Sequence, residues 1–382
     1  MIKFHSFLSS VFLDICVKCG VCRDSCHVYL ETGDLGKSPV YRLRVMQNIV
    51  KGKSITEDFE FLNIYECTLC GRCMEVCPFG ISTIDFWEYL RGYVYSLGRN
   101  PENLNLITNS LQEFKNPYSM MAESRFDWID YLGLENPPVS KKANIIYFVG
   151  CTPAFKGVCQ EIAYASSLLL NKLNLNWSFL GNDEWCCGAP WIMAGSEEKA
   201  VEHAKHNVKL IEDLNANEVV TTCPSCYRML KWKYPSLLGR KLGFKVLHIT
   251  ELIVEHINNL KPQSLINSTV TYHDPCELGR LGGIIRKPRL ILKKFSKSFI
   301  ELPTHGLSSE CCGGGGLLQA VDNEVRVKVS QKRVKQALNI GAKILVTSCP
   351  SCKMTLRDGV SALESDLEVL DLTEFLIKTL NL

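Results

Sequence analysis

Hydrophobic and polar positions change their period along this chain. PVYRLRVMQNIVKG, from Pro39, and STIDFWEYLRGYVYSLG, from Ser82, carry apolar residues at three- and four-residue steps. Both predict amphipathic helices, the second behind a serine cap. From about residue 143 the period alternates. Short apolar runs at Asn144–Val149, Trp177–Leu180, Glu218–Thr222 and Val246–Ile249 read as strands. Gln160–Leu173, Glu197–Leu214 and the segments from Ser225 and from Glu251 read as helices. Apolar strands alternating with amphipathic helices predict α/β units with a parallel sheet covered on both faces.

The alternating pattern occurs twice. NIIYFVGCTP (from Asn144) matches TVTYHDPCEL (from Thr269), and EWCCGAPWIMAG (from Glu184) matches ECCGGGGLLQA (from Glu310). ANEVVTTCPSCYRML matches AKILVTSCPSCKMTL, and VLHITELI matches VLDLTEFL. Cys151 and Cys276, Cys186 and Cys311, and Cys226 and Cys352 pair at offsets of 125, 125 and 126 residues. A constant offset over two copies is a duplication and not a solenoid. The expected organisation is a helical part over 1–100, a crossing segment over 101–142 that ends in the linker-like ENPPVSKK, a first copy over 143–262 and a second over 263–382.

Composition changes this picture in one respect. Of the 382 residues, 46% are hydrophobic and 22% charged, enough for real cores. The formal net charge of +3 is too small to predict nucleic acid as a partner. No stretch approaches the roughly 18–20 unbroken apolar residues of a membrane span, and MIKFHSFLSSVFLDIC does not read as a signal peptide. The outlier is cysteine, with 19. A chain able to build cores does not need a disulfide scaffold, and tight CxxC spacings point to metal in a cytoplasmic protein.

Cys16, Cys19, Cys22 and Cys26 form CxxCxxCxxxC; Cys67, Cys70, Cys73 and Cys77 repeat it, with Pro78 after the second run and His27 where the first would have proline. This is the spacing for two cubane [4Fe–4S] clusters, in which the fourth cysteine of each run reaches the other cluster. The expected sets are Cys16, Cys19, Cys22 and Cys77, and Cys67, Cys70, Cys73 and Cys26. Zinc, which takes four ligands usually in two pairs, fits these runs poorly. In each later copy the cysteines fall at or just after strand ends. Parallel strands end on one edge, so five thiols converge there: Cys151, Cys186, Cys187, Cys223 and Cys226 in the first copy, Cys276, Cys311, Cys312, Cys349 and Cys352 in the second. Cys159 is left over and reads as a plain buried thiol.

Two ferredoxin runs followed by two such copies, with details such as DEWCCG and TYHDPC…LGR, resemble the D-type catalytic subunit of heterodisulfide reductase and its CCG domains. Iron–sulfur subunits of anaerobic glycerol-3-phosphate dehydrogenase and of glycolate oxidase share the architecture. The resemblance implies a noncubane [4Fe–4S] cluster on each set of five thiols, and cleavage of a disulfide substrate between them. It also implies a redox partner subunit, a membrane b-type cytochrome or a flavoprotein, that holds the protein on the inner face of the membrane. The family commonly has histidine after the first cysteine of the second copy, where this chain has Glu277. Glu277 and His273 are the candidate proton donors. The rival reading is an electron-transfer subunit that links a flavoprotein dehydrogenase to a membrane quinone path. No nucleotide-binding fingerprint is present, so flavin or NAD belongs on another subunit.

Gly188 and Gly313, after the two Cys–Cys pairs, are expected where backbone passes close to a cluster. Gly314–Gly316 are expected to leave open space for a substrate sulfur. His203 and His206 read as solvated on a charged helix. RKPRLILKKFSKSF, from Arg286, reads as a basic amphipathic helix, solvated or docked on an acidic redox partner.

Overall fold

The computed structural model describes residues 13–53, 55, 58–132 and 137–382. The opening segment over 1–12 and the first two residues of ENPPVSKK lie outside them.

In the first part, short helical turns carry the cysteines and longer helices pack behind them. Helix α1 (Pro39–Val50) starts where the Ser38 hydroxyl accepts the Tyr41 amide and proline takes the first turn. Helix α2 (Thr83–Ser96) has Ser82 at its expected cap position, but that hydroxyl donates to Asp85 at 2.6 Å instead of capping. Leu43, Met46, Trp87, Leu90 and Val94 close one core. Helix α3 (Glu102–Phe114) leads into the duplicated region.

Each copy holds a four-stranded, all-parallel sheet. In the first, β1 (Ile145–Tyr147), β2 (Trp177–Phe179), β3 (Glu218–Thr221) and β4 (Lys245–His248) lie in the order β2-β1-β3-β4. Helices α4 (Gly157–Lys172), α5 (Glu197–Asp213) and α6 (Ile249–Glu255) make crossovers or end caps. The second copy repeats the order as β6-β5-β7-β8, from β5 (Ile266–His273), β6 (Ser296–Phe299), β7 (Ile344–Thr347) and β8 (Glu368–Asp371). Its helices are α7 (Arg286–Phe295), α8 (Asn323–Asn339), α9 (Pro350–Ala362) and α10 (Leu372–Leu380). The capping boxes of α6 and α10 repeat as well, with His248 and Asp371 in the same role.

Two readings of the sequence need correction. RKPRLILKKF is helical, but SKSF is strand β6, because the β-edge beside β5 takes it. Lys287 pairs with Glu251, Arg289 with Asp274 and Glu301, and Lys294 donates to the Ile257 carbonyl, so much of the helix's basic character is used internally. The crossing segment is no linker. Trp128 and Ile129 sit in the hydrophobic core of the first sheet, Phe126 packs edge-on to Phe179 at 5.5 Å, and Val139 bridges to Phe179.

That core does not stop at the first copy. Tyr147, Leu169 and Leu170 share it with Tyr272, Phe295, Phe375 and Leu376. The two copies are therefore packed as one apolar body, and the Cys159 thiol, buried in α4, donates to the Pro350 carbonyl of the other copy at 3.5 Å.

Candidate metal centres and the cavity between the two copies

All nineteen cysteines are free thiols. The eight of the ferredoxin-type runs surround two hollows. One is lined by Cys16, Cys19, Cys22 and Cys77, with Cys73 at its edge; the other by Cys26, Cys67, Cys70 and Cys73. Burial and the neighbouring thiols push Cys22 up to about 11, and burial does the same to Cys26. Thiols crowded out of water resist ionising, and a cation at their centre reverses that preference.

The ten thiols of the two copies converge on one cavity of about 340 Å³. Its wall carries all five of the first copy, Cys151, Cys186, Cys187, Cys223 and Cys226, and four of the second, Cys276, Cys312, Cys349 and Cys352. Cys311 stands just behind, beside Cys276 and Cys70 of the ferredoxin part. Cys312 and Cys352 approach to 3.3 Å. This donor set fits iron–sulfur clusters: many thiols, no disulfide, and backbone amides aimed at sulfur. Gly313 N–H donates to Cys311 Sγ at 3.3 Å and Gly314 N–H to Cys312 Sγ at 3.4 Å.

His273 is buried at the end of β5 with a ring nitrogen within 4.8 Å of the Cys312 and Cys352 thiols. Its Nδ1 accepts from Arg333 Nε at 3.1 Å, which leaves the proton on Nε2, a buried donor without a partner. Burial, and Arg333 beside it, push its pKa down to about 3. His273 is therefore a neutral ring with Nδ1 occupied and an unpartnered Nε2–H beside the thiols of the second copy. Glu277 lines the cavity but reaches across it. One oxygen accepts the Ser225 hydroxyl and the other pairs with Arg228 at 3.0 Å, so it braces the second copy against the Cys223–Cys226 turn of the first.

The glycines also read differently. A Cβ on Gly188 would meet Ala200, and one on Gly313 would lie 2.5 Å from the Arg326 carbonyl; both have positive φ. They are glycines because the turn is left-handed and a helix lies behind it, and not because a side chain would intrude on the thiols. The glycine that faces a thiol is Gly150, whose Cβ would sit 3.2 Å from Cys226 Sγ. Nor are Gly314–Gly316 open space. A Cβ would meet Thr355 at Gly314, the Thr68 carbonyl at Gly315 and the Cys67 carbonyl at Gly316. One side of this loop lines the cavity and the other lies against the ferredoxin part.

Several residues that complete the site had no role assigned from the sequence, although Glu184 lies in DEWCCG and Arg280 closes LGR. Glu184, buried, accepts the Val149 and Gly150 amides, both at 2.9 Å, and pairs with buried Arg125 of the crossing segment, also at 2.9 Å. Arg125 Nη2 lies 3.8 Å from Cys151 Sγ. His27 accepts the Cys311 amide at 3.1 Å, and Arg280 donates to the Cys70 carbonyl at 2.6 Å. The histidine in place of proline in the first run was one visible sign of this junction.

His203 is not solvated, and His206 is only partly exposed. His203 is buried, accepts from Trp191 Nε1 at 3.1 Å and donates to the Cys186 carbonyl at 2.9 Å; His206 stacks on Trp185. Both therefore hold the segment that carries the first Cys–Cys pair. His248 is likewise neutral, accepting from Thr250 and donating to the Thr222 carbonyl at 3.1 Å, with its pKa pushed down to about 4 by burial. The unfolded chain therefore binds protons that the fold refuses. Its contribution is full above about pH 6.5 and is lost as pH falls towards 4, at most about 3 kcal/mol. His248→Asn, which keeps a cap acceptor, is expected to flatten that part of the stability–pH curve between pH 7 and 5, measured by urea midpoints.

Fold and thiol arrangement together define an iron–sulfur oxidoreductase: a dicluster ferredoxin part joined to a duplicated cysteine-rich α/β body. The chain matches the 4Fe–4S dicluster domain over residues 12–81 and the CCG cysteine-rich domain over 145–231 and 270–357. It is 35% identical to the D-type subunit of the dihydromethanophenazine:CoB–CoM heterodisulfide reductase of Methanosarcina acetivorans, over 97% of this chain and 94% of that one. It belongs to the family of heterodisulfide reductase D-type subunits. More distant relatives are the EtfAB:quinone oxidoreductase of Syntrophomonas wolfei (27% identity, 96% of this chain, 58% of the other) and the B-type subunit of the fumarate reductase (CoM/CoB) of Methanothermobacter marburgensis (25% identity, 98% and 74%). Among solved structures, a hypothetical protein from Helicobacter pylori shares the fold, with a TM-score of 0.61 at 11% identity over 90% of this chain and 68% of that one. Among the described residues, no helix is long and apolar enough to cross a membrane.

Proposed function

We propose that this protein interconverts a disulfide and two thiols inside the cavity shared by its two copies. The observation that carries the reading is that one cavity is walled by thiols of both copies, nine in all. Cys16, Cys19, Cys22 and Cys77 would hold one cubane cluster, and Cys26, Cys67, Cys70 and Cys73 the other. Cys151, Cys186, Cys187, Cys223 and Cys226 would hold one noncubane cluster, and Cys276, Cys311, Cys312, Cys349 and Cys352 the second. Bound clusters of this kind supply single electrons and iron sites with affinity for a substrate sulfur.

The chain's own residues do the rest. His273 offers its Nε2–H to sulfur on the second copy's side. Glu277 keeps the opposing walls in register through Ser225 and Arg228. Ile107, Ala189, Pro190, Met193 and Leu317 give the cavity an apolar lining that excludes water from a substrate disulfide. Reducing a disulfide to two thiolates takes two electrons, and the thiolates take up two protons from water as they leave. The electrons come from a redox partner, a b-type cytochrome or a flavoprotein, and Cys19, the exposed thiol of its hollow, marks the side from which they enter. The partner holds this cytoplasmic chain at the membrane.

The test is EPR on anaerobically purified, oxidised protein titrated with small thiols. A new thiol-dependent paramagnetic state is expected, with about sixteen irons per chain by assay. If no thiol perturbs any centre and no disulfide speeds reoxidation of the reduced protein, the catalytic reading is lost and the electron-transfer one takes its place.

A further inference from the structure

Arg91, on α2, is a fully buried cation with no carboxylate in ion-pair reach among the described residues. Its guanidinium instead gathers four carbonyls from three parts of the molecule. Nη1 donates to Met193 of the first copy at 2.8 Å and to Gly316 of the second at 2.9 Å. Nη2 donates to Tyr65 at 3.0 Å and to Cys67 at 2.7 Å, both in the ferredoxin part. Nε has no partner, and the Tyr65 ring lies 5.1 Å beneath the group. Met193 and Gly316 also line the cavity. Arg91 therefore stands between the cavity wall and the loop that carries Cys67.

Carbonyl dipoles solvate a buried cation but do not neutralise it, and an interior charge ordinarily has a counter-charge. Of the acidic groups beside Arg91, the Cys67 thiol acts most strongly, ahead of Tyr65 and of Glu88, whose carboxylate is paired with Lys233. We infer that Arg91 is a positioning residue that favours the reduced form of the centre held by Cys26, Cys67, Cys70 and Cys73 and fixes that centre against the cavity wall. The inference rests on the cluster assignment proposed above. Reduction adds one negative charge to that centre; a positive charge in a medium of low polarity stabilises the product more than the reactant. The same guanidinium ties the Cys67 loop to Gly316, so the distance between the centre and the cavity does not vary.

The test is an EPR-monitored redox titration of Arg91→Met and Arg91→Lys beside the unaltered protein, with iron assayed in each. Arg91→Met is expected to keep its iron and to make one-electron reduction of one cubane at least about tenfold less favourable, a fall of about 59 mV. Arg91→Lys keeps the charge and is expected to stay within about twofold of the unaltered equilibrium. If the methionine variant does not retain iron, Arg91→Gln, which drops the charge but keeps an amide donor, takes its place with the same expected shift. An unshifted potential in the neutral variant, or an equal shift in Arg91→Lys, overturns the inference while leaving the cluster assignment standing. Absence of that cubane from the unaltered protein overturns both.

Discussion

Gly316→Val is expected to strip iron from the ferredoxin part, although the substitution lies in the second cysteine-rich copy. Gly316 has a φ of +61°, and a side chain there would drive into the Cys67 carbonyl. A β-branched residue in that conformation costs about 1–3 kcal/mol, and forcing the two loops apart adds about as much again. The carbonyl in question belongs to a residue of the Cys26–Cys67–Cys70–Cys73 hollow. Separating the loops should cost about four irons per chain, read by iron assay and by loss of one cubane EPR signal. Gly315→Leu, aimed at the Thr68 carbonyl, should lower iron content and turnover together. This reverses what the glycine run suggests by itself, since open space would make a bulky residue harm turnover alone. A Gly316→Val protein with its full iron would mean that the loops slide apart without strain.

Arg125→Met is expected to destabilise the first copy by about 3–5 kcal/mol, because it leaves the Glu184 carboxylate buried and unpaired. Glu184 holds the amides of Val149 and Gly150 immediately before Cys151, so loss of its partner should also loosen that thiol set. Urea unfolding followed by tryptophan fluorescence measures the effect, since Trp128 and Trp177 lie in the adjoining core. The double variant Arg125→Met/Glu184→Gln removes the stranded charge and should recover much of the loss. A single-variant change below about 1 kcal/mol, the size of a surface ion pair, would show that water reaches Glu184.

Both results concern one feature of the molecule. The crossing segment, the ferredoxin part and the two copies meet at the thiol sites. Arg125 reaches Cys151 from the crossing segment, His27 reaches the Cys311 amide from the first cysteine run, and Arg280 reaches back from the second copy to Cys70. The thiol sites are therefore built jointly, and a substitution in one part is felt in another.

Much of this protein was legible in its sequence, for reasons of period and spacing. Short apolar runs and period-3.6 patterns depend only on which sides of an element are buried, so β1–β4, α1 and α2 could be placed without the fold. The convergence of the copies' cysteines followed from topology alone: parallel strands joined by crossovers must end on one edge, and residues placed at those ends must meet. The ferredoxin runs are local, three thiols within seven residues, and need no tertiary knowledge. What only the tertiary structure decided was which surfaces lie against which. Glycines after a Cys–Cys pair have the same composition whether they make room or allow close approach, and the neighbour that distinguishes the two, Cys67, lies about 250 residues away in the chain. A histidine on a helix rich in charge reads as solvated until a tryptophan and a carbonyl from another segment close over it, as Trp191 and Cys186 do over His203. An arginine has no local partner to betray its burial when its ligands are backbone carbonyls, which every sequence contains. Local pattern determines elements and the edge where they end; the packing of the ferredoxin part and the two copies against one another determined the site.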